Sequence, residues 1–234
     1  MSVSYDFDGD VALVTGACGA LGSAVVDAFA AAGATVAAAD VIAADDDDSL
    51  LETAHADSFH QADFTDEAAV ESTVADVLDA HGRLDYLLNV AGTWRGGSPV
   101  HETDEATFDM LLDVNLKTMF LASKHALPHL QETEGAIVSV SARASLEGGE
   151  GDAPYRASKA GVRLVTESIA EENLGTVRAN AVMPSVLDTP MNRDMMEPDD
   201  DWVDPSEVAD VMAFLCSDGA AVTSGAAVPV YGES

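Results

Sequence analysis

Tyr155 and Lys159 lie four residues apart in the stretch Ala153-Pro154-Tyr155-Arg156-Ala157-Ser158-Lys159-Ala160-Gly161, a spacing that sets both on one face of a helix. A phenol titrates near pH ~10 in water, too high for acid–base work at neutrality. An ammonium group a few ångströms away favours the phenolate and brings that value down. The pair can then supply a proton to a carbonyl that receives hydride, or take one from an alcohol that gives hydride up. An exposed Tyr and Lys on an ordinary helix would show the same spacing. The chain, however, holds only three lysines, Lys117, Lys124 and Lys159, so one retained beside a tyrosine is less easily read as surface decoration.

Such a pair needs a helix to carry it and a cradle for the hydride carrier. Pro154 stands where a missing N–H costs nothing at a helix start. Ala157, Ala160, Val162, Leu164 and Val165 continue at helical periodicity, so a helix is expected over 155–172. Near the N-terminus, residues 10–16 (DVALVTG) form an almost wholly apolar run, as expected of a parallel strand covered on both faces. The turn Gly16-Ala17-Cys18-Gly19-Ala20-Leu21-Gly22 leads from it into an apolar helix over 23–32. Strand, glycine turn and helix make the first unit of a nucleotide-binding fold. Glycines let a pyrophosphate approach the backbone, and the helix N-terminus offers N–H groups and partial positive charge. A glycine triplet alone is a weak signal; its position between strand and helix gives it weight. A second strand, 34–40, ends in Asp40, eighteen residues beyond Gly22. An acid at about that distance accepts from an adenosine ribose and repels a 2′-phosphate, which favours NAD over NADP. Asp40 is also the first acid of an acidic loop, and that plainer role stays open.

The remaining segments alternate in the same way. A third strand is expected over 58–63 and a helix over 66–80 with Thr65 as its N-cap. A fourth strand over 84–90 ends in the small-residue turn Asn89-Val90-Ala91-Gly92. The loop 93–100 that follows contains Trp94, placed for substrate contact or simply for packing. A long helix over 104–130 carries Asn115 within an apolar stretch, and a polar group there requires hydrogen-bond partners. Strands are expected at 136–140, 177–183 and 226–231, a helix at 205–217, and a mobile flap over 185–204, rich in Pro, Met and Asp. Strands alternating with helices throughout predict an α/β fold, a single-domain Rossmann-like doubly wound parallel sheet.

The formal charge is −32, from 42 acidic and 10 basic residues. The acids are spread among intact apolar periodicities, with only residues 45–48 forming a run. A folded core under an acidic coat is the reading, not a disordered acidic tail. A coat with lysine nearly removed looks like adaptation to molar salt, where the Debye length is ~3 Å and self-repulsion is screened. Binding to DNA or anionic membranes is not expected. No apolar run is long enough to span a bilayer, and the first residues show neither a basic nor an apolar region, so a soluble cytoplasmic protein is expected. Cys18 and Cys216 are too few for a disulfide framework and read as buried or semi-buried thiols. His125 and His129 have an i, i+4 spacing, but Pro128 interrupts that helix end and no third ligand accompanies them, so no metal site is expected.

With these motifs assembled, the sequence resembles the short-chain dehydrogenase/reductase family over nearly its whole length. Four features match in order: the glycine turn 15–22, Asn89-Val90-Ala91-Gly92, Asn115, and Tyr155 with Lys159. Asp63-Phe64 is similar to the family's adenine contact. Asn180-Ala181-Val182-Met183-Pro184, followed by Thr189-Pro190-Met191, is similar to its segment at the nicotinamide amide. The resemblance implies one NAD(P)-binding domain over 1–234. The dinucleotide would be held by Gly16, Gly19, Leu21, Gly22, Asp40, Asp63, Phe64, Asn89, Ala91, Gly92, Tyr155, Lys159, Pro184 and Thr189. It implies Tyr155 as proton donor or acceptor, Lys159 on the nicotinamide ribose, Asn115 keeping a water in the proton relay, and a homodimer or homotetramer.

Two departures stand out. The family's turn is TGxxxGxG, but its middle glycine position is Ala20 here and the glycine falls one residue early, at Gly19. The family's catalytic serine position, thirteen residues before the tyrosine, is Ala142. Ser141 adjoins it, yet neighbouring side chains on a strand point to opposite faces, so Ser141 replaces the missing hydroxyl only if the backbone bends. The serine-poor stretch 142–148, Trp94 and Leu187-Asp188-Thr189-Pro190-Met191-Asn192-Arg193 locally resemble quinonoid dihydropteridine reductase, an NADH-dependent member lacking the serine. Trp94 would then pack on a flat heteroaromatic substrate. The functions in view are a reductase of such a conjugated substrate, a 3-oxoacyl, sugar or secondary-alcohol dehydrogenase, and, from another class, a non-catalytic dinucleotide-binding protein.

Overall fold

The computed structural model describes residues 5–232; residues 1–4, part of the N-terminal stretch considered above, lie outside the described residues. Seven strands form one parallel sheet in the order β3-β2-β1-β4-β5-β6-β7. They are β1 (Val11–Thr15), β2 (Thr35–Asp40), β3 (Ser58–Gln61), β4 (Tyr86–Asn89), β5 (Ala136–Val140), β6 (Arg178–Pro184) and β7 (Ala227–Val230). The helices are α1 (Ala20–Ala31), α2 (Glu67–His81), α3 (Glu105–Leu112), α4 (Thr118–Thr133), α5 (Ala153–Glu172), α6 (Pro190–Met195) and α7 (Pro205–Cys216).

The residues of β1 show why the sheet is covered on both faces. Ala12 and Val14 pack with Val25, Val26 and Phe29 of α1 and Val208, Met212 and Leu215 of α7. Val11 and Leu13 pack with the other layer, which includes Val70 and Val74 of α2, Leu121 and Leu130 of α4 and Ile169 of α5. Alternate side chains leave opposite faces of a strand, and both find an apolar layer. The order of pairing reverses between β1 and β4, and at such a point the loops leaving the strand ends part to form a crevice.

Several boundaries differ from the sequence reading. Helix α1 begins at Ala20 rather than residue 23, which brings its first turn into the glycine loop. Asp66, not Thr65, caps α2 by accepting from Ala68 N, while Thr65 donates both N–H and hydroxyl to Asp63 Oδ1. The predicted long helix is present but divided by a π-helical turn at Asp113–Lys117. It also runs through Pro128 to Thr133, three residues beyond the expected end at 130. Pro128 is exposed, so water can reach the carbonyl one turn back that lacks its usual donor. The 185–204 segment contains α6 and a short parallel bridge between Leu187 and Val203. Val203 N donates to Val186 O at 2.9 Å and Asp188 N to Val203 O at 2.8 Å. Both cysteines are buried thiols, as expected.

Candidate active site

The ends of the central strands open into a cleft of roughly 1850 Å³. At the mouth of β1, Gly16 has φ +68°, and a Cβ there would lie 2.7 Å from Ala91 Cα. A Cβ on Gly22 would fall 1.9 Å from Gly16 O. Both positions therefore exclude side chains, and together they press the start of α1 against the turn. Gly19 is different: a Cβ there would make only ordinary contact, 3.5 Å from Gly16 O. Ala20, at the family's middle glycine position, is the first residue of α1. No side chain caps that helix and no acid sits in its first turn, in a chain with 42 acidic residues. Its first N–H groups lack intrahelical partners and carry the helix's partial positive charge. That is the donor set a diphosphate requires.

Asp40 lies at the end of β2, where its carboxylate accepts from Cys18 N at 2.9 Å and Ile42 N at 3.2 Å. These bonds fix its orientation on the cleft, with Asp47 and Asp48 nearby on the lining. The cations of that lining, Arg143, Arg156 and Lys159, follow β5 or lie on α5. Asp63, Phe64, Ala91, Gly92, Pro184 and Thr189 also line the cleft. Thr189 caps α6 through Asn192 N. Thr15, not singled out beforehand, ties β1 to the β4 turn: its hydroxyl accepts from Val90 N and Ala91 N at 3.1 and 3.2 Å.

Asn89 is a correction. It is buried at 3 % exposure, and its side-chain amide donates to Ser123 and Ser139 Oγ, each at 3.2 Å. Those bonds fasten β4 to α4 and β5, so the side chain braces the sheet instead of reaching the cofactor cleft.

Tyr155 and Lys159 both line the cleft. Lys159 is 5 % exposed, and its ammonium donates to Val140 O at 2.9 Å. Burial lowers its pKa to about 8. The expected depression of the tyrosine is absent: the phenol is pushed up to about 12, first by burial and then by Asp152, with Arg156 opposing. Burial penalises the charged phenolate, and the Lys159 ammonium, engaged with a carbonyl, is not among the groups that shift the phenol.

Asn115 sits in the π-turn with 1 % exposure. Its Oδ1 accepts from Thr93 N at 2.7 Å, and its Nδ2 donates to Ser158 Oγ at 3.0 Å. Ser158 in turn donates to Tyr155 O at 2.8 Å. A Cβ on Gly92 would lie 3.0 Å from both Asn115 Oδ1 and Lys159 Nζ, so the two polar groups converge on that glycine. Ser158 was missed by the sequence reading, although its place beside Lys159 on an amphipathic helix was visible.

Ser141 requires a second correction. Its backbone N–H continues the ladder to Val182 O, and its hydroxyl donates to Lys159 O at 2.8 Å. Ser141 lines the cleft, but its hydroxyl proton is committed to Lys159 O, a bond that anchors α5 to β5. Ala142 lies beside it on the cleft lining with no hydroxyl to offer. Trp94, half exposed, faces the same space, as do Asp152 and Arg156. Those last two were legible as an i, i+4 acid–base pair flanking Tyr155 but were not singled out.

A doubly wound parallel sheet with a bare helix N-terminus, a strand-end carboxylate and a buried lysine beside a tyrosine defines a nicotinamide-dinucleotide oxidoreductase. The comparisons narrow this further. The short chain dehydrogenase family profile matches residues 10–200, and the chain belongs to that family. It is 37 % identical to a meso-2,3-butanediol dehydrogenase from Serratia marcescens over 97 % of this chain and 94 % of the relative. It is 34 % identical to a 3-oxoacyl-(acyl-carrier-protein) reductase from Thermotoga maritima, covering 96 % and 97 %. A solved short-chain dehydrogenase/reductase from Brucella melitensis, described as a glucose/ribitol dehydrogenase, superposes with TM-score 0.89 at 28 % identity, covering 99 % and 98 %. The chain is accordingly an NAD(P)-dependent oxidoreductase. Among the described residues no helix is long and apolar enough to cross a membrane.

Proposed function

We propose that the chain interconverts a small secondary alcohol and its ketone, using NAD in preference to NADP, with Tyr155 as the group that moves the proton. The observation that carries this reading is the convergence of Lys159 Nζ and Asn115 Oδ1 at Gly92, in the cleft that Tyr155 lines. When bound, the dinucleotide supplies or accepts the hydride. Lys159 has ammonium protons left beyond the one given to Val140 O, and these suit a ribose diol. Tyr155 holds its proton firmly in a dry site and releases it as negative charge develops on a carbonyl oxygen. Asn115 positions the Thr93 end of the β4 loop and, through Ser158, the first turn of α5.

Asp40 with Asp47 and Asp48 supports NAD, because a 2′-phosphate would meet carboxylates and no cation on that side. A substrate of alcohol or ketone type agrees with the butanediol-oxidising relative. Ala142 favours a second reading, a flat conjugated substrate such as a quinonoid dihydropterin packed on Trp94, whose reduction relies less on a serine hydroxyl. Exposed Phe108, Phe120 and Leu164 on α3, α4 and α5 support self-association into a dimer or tetramer. The net charge of −32 supports a high-salt cytoplasm.

The deciding experiment is a turnover screen in molar salt, pairing NADH and NADPH with diacetyl, a 3-oxoacyl thioester, an aldose and quinonoid dihydropterin, and NAD with meso-2,3-butanediol. Turnover of diketone and diol with the non-phosphorylated cofactor is expected. Turnover confined to the pterin would establish the second reading, and NADPH preference would overturn the role given to Asp40.

A further inference from the structure

At the substrate end of the cleft, the segment 93–98 leaves β4 and the segment 147–152 leads into α5. The two segments touch backbone to backbone, where Gly97 N donates to Gly151 O at 2.8 Å. Arg156, one residue beyond Tyr155, holds the second segment at both ends. Its Nε donates to Asp152 Oδ1 at 2.6 Å and its Nη1 to Glu147 O at 3.1 Å. The guanidinium lies across Gly149 so closely that a Cβ there would sit 2.3 Å from Cζ, Nε and Nη2. Gly96 is packed between Trp94 and the same assembly: a Cβ there would meet Trp94 Cζ2 at 2.8 Å on one side and Gly151 O at 3.1 Å and Asp152 Cβ at 3.2 Å on the other. Trp94, Glu147, Asp152, Tyr155 and Arg156 all line the cleft.

We propose that Arg156 is a positioning residue of the substrate pocket: its guanidinium pins the 147–152 segment, which through Gly151 and Asp152 seats Trp94 and sets the pocket width beside Tyr155. A planar fork with donors in fixed directions can reach a carboxylate and a carbonyl at once, which a single ammonium cannot do in the same geometry. With Asp152 neutralising it, Arg156 acts on the wall and not as a receptor for an anionic substrate. The proposal rests on the reading that Tyr155 reacts in this cleft.

Two variants loosen the assembly by different means. Arg156→Gln removes the fork, while Gly149→Ala displaces the guanidinium from an exposed loop with no core residue touched. In a Trp202→Phe background, Trp94 is the remaining indole of the chain's two, and its emission reports the wall directly without cofactor or substrate. Both variants are expected to shift that emission to the red and raise acrylamide quenching about twofold, as a seated ring becomes wetted. NADH affinity stays within about twofold, and KM for meso-2,3-butanediol rises about tenfold with kcat within about threefold, the pattern of lost substrate binding. Arg156→Lys restores neither emission nor KM. Unchanged Trp94 emission in both variants, or full rescue by lysine, would overturn the proposal. A chain that binds NADH but does not oxidise the diol fails the functional reading alone, because the emission measurement still decides the wall.

Discussion

Replacing Lys159 by methionine should make the protein more stable at neutral pH while ending its chemistry. The ammonium is 5 % exposed and its pKa is drawn from 10.5 to about 8 by burial. At about 1.4 kcal/mol per pH unit, that displacement represents about 3 kcal/mol of burial cost. The cost is fully present at pH 7, where the amine is charged in both folded and unfolded chains. Because the folded value lies below the unfolded one, the unfolded chain binds more protons between about pH 8 and 10.5. Wild-type stability therefore rises through that window and falls again as pH drops through about 8. Methionine keeps most of the stem's volume and removes the charge, but it forfeits the charge-assisted bond to Val140 O, worth about 2 kcal/mol. The net gain is about 1 kcal/mol, which for a chain of this size raises Tm by about 2–4 °C. Thermal melts without cofactor in molar salt, at pH 7 and near pH 10, read both quantities. The variant should melt above wild type at pH 7, and the gap should narrow at the higher pH. A variant that melts lower at pH 7, or a gap indifferent to pH, would show that burial is not what shifts this lysine.

Tyr155→Phe should lower turnover by ~10²–10⁴, far more than it weakens NADH binding; full activity in that variant would remove the tyrosine from the mechanism. Ser141→Ala should reduce stability by about 1 kcal/mol through the lost tie to Lys159 O, with kcat/KM altered only a few-fold. A hundredfold loss would mean that its hydroxyl reaches substrate after all. Gly22→Ala should abolish dinucleotide binding or folding, whereas Gly19→Ala should bind NADH within a few-fold of wild type, because only the first places a methyl inside Gly16 O; titration of protein fluorescence with NADH separates the two. Dilution from molar to millimolar salt should lower Tm and then unfold the chain as self-repulsion among 42 acids is unscreened, and circular dichroism unchanged across that range would refute it.

The parts of the fold that sequence periodicity conveys are those where one rule acts alone. Residues 136–140 are apolar, short and bounded, and β5 occupies that range. The start of α1 was misplaced because Gly22, a poor helix former, sits inside its first turn and masks the helical preference of Ala20 and Leu21; Gly22 is there because its Cα packs against Gly16 O. The π-turn was illegible for a related reason. One extra residue shifts the phase of the apolar pattern once, between α3 and α4, a single step that the short apolar runs on either side do not reveal, and Asn115 was the sole mark of it. Site roles were harder. Asn89 carries a site-like amide at a strand end, yet Ser123 and Ser139, distant in sequence, take it out of the cleft. For Ser141 strand parity was a poor guide, since it lines the cleft together with Ala142, and only the tertiary bond from its hydroxyl to Lys159 O shows where its proton goes.

The chain's few cations show how an acidic coat and a basic site coexist. Arg83 forks onto Asp85, itself 3 % exposed and accepting from Val11 N, which closes the base of the sheet. Arg178 donates to Leu215 O and Cys216 O, covering the carbonyl end of α7 where the helix dipole favours positive charge. Arg193 pairs with Asp188 at the foot of α6, and Arg143 stacks on Tyr231 at 4.7 Å. These are fork or stacking geometries that a lysine cannot reproduce. Of the lysines, Lys117 and Lys124 hold exposed acids, Asp113 and Glu67, and only Lys159 is buried. A buried ammonium is screened by salt much less than an exposed one, so the Lys159 side chain, 5 % exposed, is set apart electrostatically from the exposed acids of the surface.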